Sequence, residues 1–217
     1  MSEPRAEIDF LFNGPASAPL TLALAHGASS PMDTDFMNAF AEGLAAQGRG
    51  RWRVARFEFP YMIAQRADGR SRRPNPESML LAAWRGAIAA LGSDRLVIGG
   101  KSLGGRMAGM VADESGVAGL VCLGYPFHPA GKPEKLRVAT LVGLKTPTLI
   151  VQGTRDPFGR EAEVQRYPLS PAVSMHWIAD GDHNLAPRRS TGRSIARTWT
   201  EAISAVGDFL SRLQGDP

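Results

Sequence analysis

The segment Gly99–Gly105, with the sequence GGKSLGG, decides the fold class of this 217-residue chain. It comes directly after an apolar run, Leu96–Ile98, that is typical of a buried strand. Two kinds of loop place glycines, a lysine and a serine behind a strand. One is a phosphate-binding loop with the pattern G-x-x-x-x-G-K-[ST]. The other is a sharp turn between a strand and a helix, with the pattern G-x-S-x-G, that exposes its serine as a nucleophile.

The spacing of the glycines favours the second pattern. A phosphate-binding loop that ended at residues 100–102 would need a glycine at position 95, where the sequence has Arg95. Residues 100–104, GKSLG, match G-x-S-x-G, and Gly105 adds a further small residue. Small residues are needed because strand and helix nearly touch at such a turn. The sequence therefore predicts Ser102 as a nucleophile and makes nucleotide binding the weaker hypothesis.

Length and composition indicate a single globular domain over residues 1–217. Residues 1–10 contain acidic side chains and no apolar run, so they do not resemble a signal peptide. No apolar run approaches the roughly 18 residues of a membrane span. The single cysteine, Cys122, lies in the apolar run 120–123 and is predicted to be a small core residue. We therefore expect a cytoplasmic protein without a membrane partner.

The net charge of +4 is mild, and the arginines are scattered except at residues 66–73, RADGRSRR. Such a segment can bind nucleic acid or an anionic substrate, or it can be a solvated loop between a strand and a helix. No aromatic side chains are interleaved with these arginines to stack on bases. The sequence favours the solvated loop and predicts no nucleic-acid partner, and it leaves open a contact with the substrate.

Short apolar runs alternate along the chain with longer segments of helical period. The predicted strands are 7–12, 20–25, 52–57, 95–99, 118–124, 148–152 and 173–178. The predicted helices cover about 33–47, a segment with Asn75 as N-cap and Pro76 as first helical residue, and a final segment from Ile195 onward. This alternation is typical of an α/β fold with a mostly parallel sheet of about seven strands flanked by helices.

Each of these helices carries one apolar stripe, which is expected to pack on the sheet. The stripes are Phe36, Met37, Phe40 and Leu44; then Met79, Leu80, Ala83, Trp84, Ala87, Ile88 and Leu91; and finally Ile195, Trp199, Ala202, Ile203, Val206, Leu210 and Leu213. Core packing explains all three stripes, and none of them requires a cofactor.

In a parallel α/β sheet the chemistry gathers at the carboxyl ends of the strands. Asp156 follows the sixth predicted strand, and His183 follows the seventh. A serine hydroxyl needs a base to take its proton, and the base needs a third group that orients it. Ser102, Asp156 and His183 stand in one of the chain orders in which such triads occur. Asp180 and Asp182 are alternatives for the orienting acid, although such close sequence neighbours need a tight turn to reach the far nitrogen of His183.

Attack on a carbonyl also requires backbone amides that stabilise the oxygen as it becomes negative. The amide of Leu103, directly after the serine, is one expected donor. The second is expected after the strand predicted at 20–25, where the chain continues as His26-Gly27-Ala28. We assign this donor to Ala28, with Gly27 allowing the loop to turn beside the pocket and His26 bracing the loop.

Further side chains are candidates for the pocket because they lie near strand ends. Tyr125 and His128 follow the fifth predicted strand, and Lys101 and Arg106 flank the serine turn. The two basic side chains can favour an anionic substrate, or they can be salt-bridged or solvated. No set of His, Cys and carboxylate residues has metal-ligand spacing, so we predict neither a metal site nor a cofactor.

Five segments together resemble the α/β-hydrolase superfamily over essentially the whole chain. They are residues 24–37, 99–108, 123–137, 147–159 and 180–185. More narrowly, the chain is similar to a short, lidless, dienelactone-hydrolase-like branch. Relatives in that branch include a testis-expressed protein and a subunit of the nonspecific-lethal chromatin complex. The serine turn and the HG loop identify the superfamily, and the segment 123–137 points to the branch.

The resemblance implies a serine hydrolase that works through an acyl-enzyme, in which Ser102 attacks, His183 moves the proton and Asp156 orients His183. It implies no particular substrate, since the fold hosts esterases, thioesterases, peptidases and lactonases. Larger members carry a cap before the acid. Here only residues 125–146 fill that interval, which implies an open or shallow site for a small or medium acyl substrate.

The alternative function is an interaction module of the same fold with a silent triad. The intact set of serine, acid and histidine argues against it, because a binding scaffold has no need for those groups at those points. The sequence leaves the oligomeric state open.

Overall fold

The structure of the chain is a computed structural model that describes residues 8–215. A seven-stranded sheet forms its centre. The strands are β1 (Leu11–Asn13), β2 (Leu20–Ala25), β3 (Trp52–Phe57), β4 (Leu96–Lys101), β5 (Gly119–Leu123), β6 (Thr148–Gly153) and β7 (Val173–Ile178). Their order across the sheet is β1-β3-β2-β4-β5-β6-β7. Strand β1 is antiparallel to β3, and all other neighbouring strands are parallel. The predicted class, a mostly parallel α/β sheet, is confirmed.

Helices lie on both faces of this sheet. They are α1 (Asp35–Gly48), α2 (Pro60–Asp68), α3 (Glu77–Leu91), α4 (Leu103–Ser115), α5 (Ala139–Gly143), α6 (Glu161–Val164) and α7 (Ile195–Leu213). Helices α1 and α7 pack against each other on one face, and α3 and α4 pack against each other on the other face.

The core consists of two apolar clusters because successive strand residues point to opposite faces of the sheet. Leu22 packs with Phe40 in the cluster beneath α1 and α7. Ile98 packs with Trp84 in the cluster beneath α3 and α4, and the fully buried Cys122 belongs to the same cluster, as predicted. A strand that is covered on both faces consists of consecutive apolar residues, so its position can be predicted from the sequence.

Most predicted strand bounds agree with the structure. Three strands have the predicted bounds, and three differ by one or two residues at their ends. Arg95 was expected in a strand but has a left-handed backbone with φ of +55°, so β4 begins after it. The first strand, expected over 7–12, is instead Leu11–Asn13, and position 7 lies outside the described residues.

The helix expected to start at Pro76 begins one residue later, with Pro76 as its N-cap. Asn75 does not cap it, because its Oδ1 accepts a hydrogen bond from the backbone N–H of Tyr61 at 2.7 Å. Met79 was expected in the core, but it is 45% exposed. At about 100° per residue it lies about 140° around the helix from the buried Trp84, which places it off the apolar stripe.

Within residues 8–215, no cap domain covers the carboxyl end of the sheet. Between β5 and β6 the chain forms only the five-residue helix α5. Across residues 8–215, we find no helix with the length and apolar character needed to cross a bilayer.

Candidate active site

Ser102 lies at the turn between β4 and α4, where the G-x-S-x-G pattern predicts it. Its φ of +50° and ψ of −109° form a backbone conformation that non-glycine residues rarely adopt. Two hydrogen bonds hold this strained turn. The Ser102 N–H donates to the carbonyl of Leu123 on β5 at 3.0 Å, and the Ser102 carbonyl accepts from the N–H of Arg106 at 3.0 Å. The turn therefore fixes Ser102 at the carboxyl end of the sheet.

The glycines of this turn are required by the close approach of β2. A Cβ atom on Gly100, whose φ is +154°, would lie 2.1 Å from the backbone oxygen of Ala25. A Cβ atom on Gly104 would lie 2.3 Å from the same oxygen. Both distances are far shorter than any van der Waals contact, so the crowding expected from the sequence is present in the structure.

Asp156 and His183 meet directly at the same end of the sheet. The Nδ1 atom of His183 lies 2.8 Å from Oδ2 of Asp156, which is fully buried. The second carboxylate oxygen accepts a hydrogen bond from the backbone N–H of Phe158 at 2.9 Å. Because an ionised carboxylate only accepts, this contact places the imidazole proton on Nδ1 and leaves the Nε2 lone pair available.

Gln152, near the end of β6, is a site residue that sequence reasoning missed. Its buried amide donates to Oδ2 of Asp156 at 2.9 Å and to the carbonyl of Tyr125 at 3.1 Å. Its Oε1 accepts from the N–H of Tyr125 at 2.7 Å. The amide thus ties the carboxylate to the chain that leaves β5. The signal in the sequence was a polar side chain at the end of the apolar run 148–151.

The two alternative acids for the orienting role are engaged elsewhere. Asp180 forms ion pairs with Arg155 and Arg188. Asp182 accepts two backbone N–H hydrogen bonds, at 2.8 and 3.0 Å, from the turn that follows it. Of the three candidate acids, the structure brings Asp156 to the His183 ring.

Lys101, the last residue of β4, is buried beside His183. Its Nζ donates to the backbone carbonyl of His183 at 2.5 Å. Burial lowers the pKa of Lys101 to about 8, although the carboxylates of Asp156 and Asp182 oppose that change. Burial also lowers the pKa of His183, a change that the hydrogen bond to Asp156 opposes and the charge of Lys101 reinforces. The imidazole is therefore neutral at pH 7 and can accept a proton.

A cavity of about 710 Å³ opens at this end of the sheet, with Ser102 and His183 both in its lining. The predicted residues Gly27, Ala28, Lys101 and Leu103 line it as well. Within residues 8–215 the Ser102 hydroxyl makes no hydrogen bond, so the structure brings Ser102 and His183 to one cavity without joining them. Ile195, expected in the core, is instead 48% exposed, because it begins α7 at the cavity rim.

The loop after β2 is braced from behind, as expected for His26. His26 Nδ1 lies 2.7 Å from the carbonyl oxygen of Gly27, and its Nε2 accepts from the N–H of Phe59 at 3.1 Å. The Tyr61 hydroxyl, which sequence reasoning did not single out, adds a second brace. It lies 3.1 Å from the carbonyl oxygen of Gly27 and 2.9 Å from that of Ala28. The hydroxyl of Tyr61, which belongs to α2, thus lies within hydrogen-bond distance of both loop carbonyls.

The two pocket candidates that follow β5, Tyr125 and His128, do not line the cavity. Both side chains are buried and hold the segment after β5 in place. The Tyr125 hydroxyl donates to the carbonyl of Arg137 at 2.9 Å, and Nε2 of His128 lies 3.3 Å from Glu163 of α6. Arg137 itself lines the cavity and was not identified from the sequence.

The basic segment 66–73, expected to be a loop, is helical up to Asp68 because α2 extends to that residue. Arg66 pairs with Asp33 and Glu58, and Arg72 pairs with Asp68. The segment does not contribute to the cavity lining. In the part of the chain that the structure describes, no group of three or more His, Cys, Asp or Glu side chains is placed to hold a metal ion.

The strand order and the serine turn between β4 and α4 define the class as an α/β-hydrolase fold. A family model described as an alpha/beta hydrolase domain matches residues 18–211. The chain therefore belongs to this family.

Solved structures show the same fold at low sequence identity. The chain is similar to the esterase domain of a Rhodothermus marinus protein, with 15% identity over 95% of this chain and 98% of that one, and a TM-score of 0.66. It is also similar to Est1E from Butyrivibrio proteoclasticus, with 14% identity over 96% and 95% of the two chains and a TM-score of 0.65. A third is XC6422 from Xanthomonas campestris, described as an a/b serine hydrolase without lid, with 14% identity over 97% and 89% and a TM-score of 0.63.

Proposed function

We propose that this protein is a serine hydrolase that cleaves a carboxyl ester, or a related acyl bond such as a thioester, through an acyl-enzyme. The observation that carries the proposal is the 2.8 Å contact between His183 and the buried Asp156, in a site whose cavity also receives Ser102. The family and the esterase and serine-hydrolase neighbours support the same chemistry.

The first half of the reaction forms the acyl-enzyme. The Ser102 oxygen attacks the substrate carbonyl while His183 Nε2 takes the hydroxyl proton. Asp156 holds the imidazole in the required tautomer and stabilises the imidazolium that forms. The tetrahedral intermediate then expels the leaving group, which receives the proton from His183. In apo sites the hydrogen bond between the serine and the base is often long, and it tightens in the reacting complex.

The second half releases the acid. A water molecule gives its proton to His183 and attacks the acyl carbonyl. The bond to the Ser102 oxygen breaks, and that oxygen takes the proton back from His183. Serine and neutral histidine are restored, and the products are the carboxylic acid and the alcohol or thiol.

The amides of Ala28 and Leu103 are proposed to stabilise the negative oxygen in both halves. Both residues line the cavity, and among residues 8–215 neither amide has a hydrogen-bond acceptor. Leu103 also begins α4, where the helix dipole favours negative charge. The braces from His26 and Tyr61 fix the Ala28 loop in advance, which is how such donors gain their effect.

The proposed substrate is a small or medium acyl compound. The cavity of about 710 Å³ is in the range of sites for small molecules. No segment of residues 8–215 forms a cap over this open cavity, and the rim residue Trp199 is available to contact an acyl chain.

The experiment that tests the function is intact-mass spectrometry after exposure to a fluorophosphonate, a probe that reacts with an activated serine. We expect one adduct on the wild type, none on Ser102→Ala, and an unchanged adduct on the control Ser190→Ala, whose side chain is exposed. Failure of the folded wild type to react would contradict the proposal. It would favour the alternative, an interaction module of this fold with a silent triad.

A further inference from the structure

The cavity beside Ser102 has an excess of positive charge. Its lining includes three basic side chains, Lys101, Arg106 and Arg137, and one acidic side chain, Asp35. Lys101 is occupied, because its Nζ is bonded to the carbonyl of His183. Asp35 is exposed at the start of α1. Lys101 therefore contributes its charge, and the two arginines contribute the donors that remain available to a substrate beside Ser102.

Arg137 is half-buried, and its guanidinium has no acceptor among residues 8–215. Its backbone is nevertheless fixed on both sides. Its N–H donates to the carbonyl of Phe127 at 2.7 Å, and its carbonyl accepts from the Tyr125 hydroxyl at 2.9 Å. Arg137 thus combines an anchored backbone, a position in the cavity lining and a guanidinium without an acceptor among residues 8–215, which makes it available to bind an anion.

Arg106 approaches the same part of the cavity from α4. Side chains of a helix lean toward its N-terminus, and for Arg106 that is the end that carries Ser102. One of its nitrogens is bonded to Glu77 at 2.9 Å, and the remaining donors of the fork are left for a ligand. Burial lowers the pKa of Arg137, and the charge of Arg106 lowers it further. Two guanidinium groups that repel one another gain from an anion between them.

We propose that the substrate carries a carboxylate or another anionic group, and that Arg137 binds this group with support from Arg106. This assignment of the substrate class rests on the proposed hydrolase function. Arg137 and Arg106 act as specificity-determining residues, and the Ser102 chemistry is unchanged by them. The anion belongs either to the acyl part or to the leaving group, and the two arms of the following experiment separate these cases.

The experiment compares matched ester pairs in which one member has a free carboxylate and the other has that carboxyl group methylated. For the acyl part, the pair is the mono-4-nitrophenyl ester of adipic acid and the same compound with its carboxyl group methylated. For the leaving group, the pair is the butyrate ester of 4-hydroxybenzoic acid and the butyrate ester of methyl 4-hydroxybenzoate. The readout is the ratio of kcat/KM for the anionic over the neutral ester, measured for the wild type, Arg137→Gln and Arg106→Gln. The control is Arg166→Gln, which makes the same charge change at an exposed residue outside the cavity.

For at least one of the two ester pairs, we expect Arg137→Gln to lower this ratio by about tenfold or more. The KM for the anionic ester should rise, because the charge-assisted hydrogen bonds between the guanidinium and the anionic group are lost. Arg106→Gln should lower the same ratio, and Arg166→Gln should leave it within about twofold of the wild type. Ratios that neither cavity variant changes, in an enzyme that fluorophosphonate labels at Ser102, would overturn the anion proposal alone. A wild type that the probe does not label would instead overturn the proposed function.

Discussion

Replacement of Asp156 by asparagine keeps the shape of the side chain but exchanges one acceptor oxygen for a donor. Three groups donate to the carboxylate in the structure. His183 Nδ1 and Gln152 Nε2 meet Oδ2 at 2.8 and 2.9 Å, and the Phe158 N–H meets Oδ1 at 2.9 Å. An asparagine has one oxygen and one NH₂ group, so it cannot accept on both sides.

Each orientation of the new amide has a defined cost. With its oxygen toward Phe158, the NH₂ group faces His183, and the ring must adopt the tautomer in which Nδ1 accepts. The proton then lies on Nε2, and the base has no lone pair for Ser102. An acid-to-amide change that imposes the wrong tautomer on a serine-protease triad lowers kcat about 10⁴-fold, which corresponds to about 5.5 kcal/mol. With its oxygen toward His183, the partly buried N–H of Phe158 loses its acceptor, at a cost of about 1 kcal/mol in stability.

We expect the first orientation to prevail, as it does in that triad, so that Asp156→Asn remains folded and loses about three to four orders of magnitude in kcat/KM for 4-nitrophenyl butyrate. The matched control is Asp182→Asn, one residue from His183, since its carboxylate binds backbone amides and does not contact the ring. The control should stay within about tenfold of the wild type. An Asp156→Asn protein as active as the control, or a control that loses as much activity, would refute the assignment of Asp156 as the orienting acid.

Two further variants probe the electrostatics and the crowding of the site. Lys101→Met removes a charge that lowers the pKa of His183, so this pKa should rise and the acidic limb of the pH profile of kcat/KM should move to higher pH. A limb that stays in place or moves to lower pH would contradict this reading, and the control is the exposed Lys132→Met. Gly100→Ala should cost on the order of 3 kcal/mol, seen as a melting temperature about 6–12 °C lower, because the new Cβ would lie 2.1 Å from a backbone oxygen of β2. Gly143→Ala, with no atom within 4 Å of the new Cβ, should melt within about 2 °C of the wild type.

The sequence was most informative where a local pattern has a single physical cause. Strands buried on both faces appear as apolar runs, and the serine turn appears as glycines at fixed spacing. The parallel topology then allowed Asp156 and His183 to be placed at one end of the sheet, because each follows a strand. The structure adds that they touch, at 2.8 Å.

The residues that sequence reasoning missed act across distances that no local pattern encodes. Tyr61 reaches the carbonyl of Ala28, 33 residues away, because β2 and β3 are neighbours in the sheet. Gln152 reaches the backbone of Tyr125, 27 residues away, because β5 and β6 are neighbours. The lateral order of strands decides which loops meet, and the apolar runs that identify the strands do not contain that order. Arg137 was missed for a similar reason, since its backbone is held by the hydroxyl of Tyr125 and the carbonyl of Phe127, which are 12 and 10 residues away.

The end of β4 positions both halves of the proposed catalytic machinery. Lys101 binds the backbone carbonyl of His183, and the next residue is Ser102 itself. Gly124, which has φ of +70° and follows β5, lies against the same contact, because a Cβ there would come within 2.9 Å of the Lys101 Nζ and 3.3 Å of the His183 Nδ1. Contacts among β4, Gly124 after β5 and the loop after β7 thus hold the His183 backbone in place relative to Ser102. A site held in this way is organised before the substrate arrives, so the open cavity does not need a cap to assemble it.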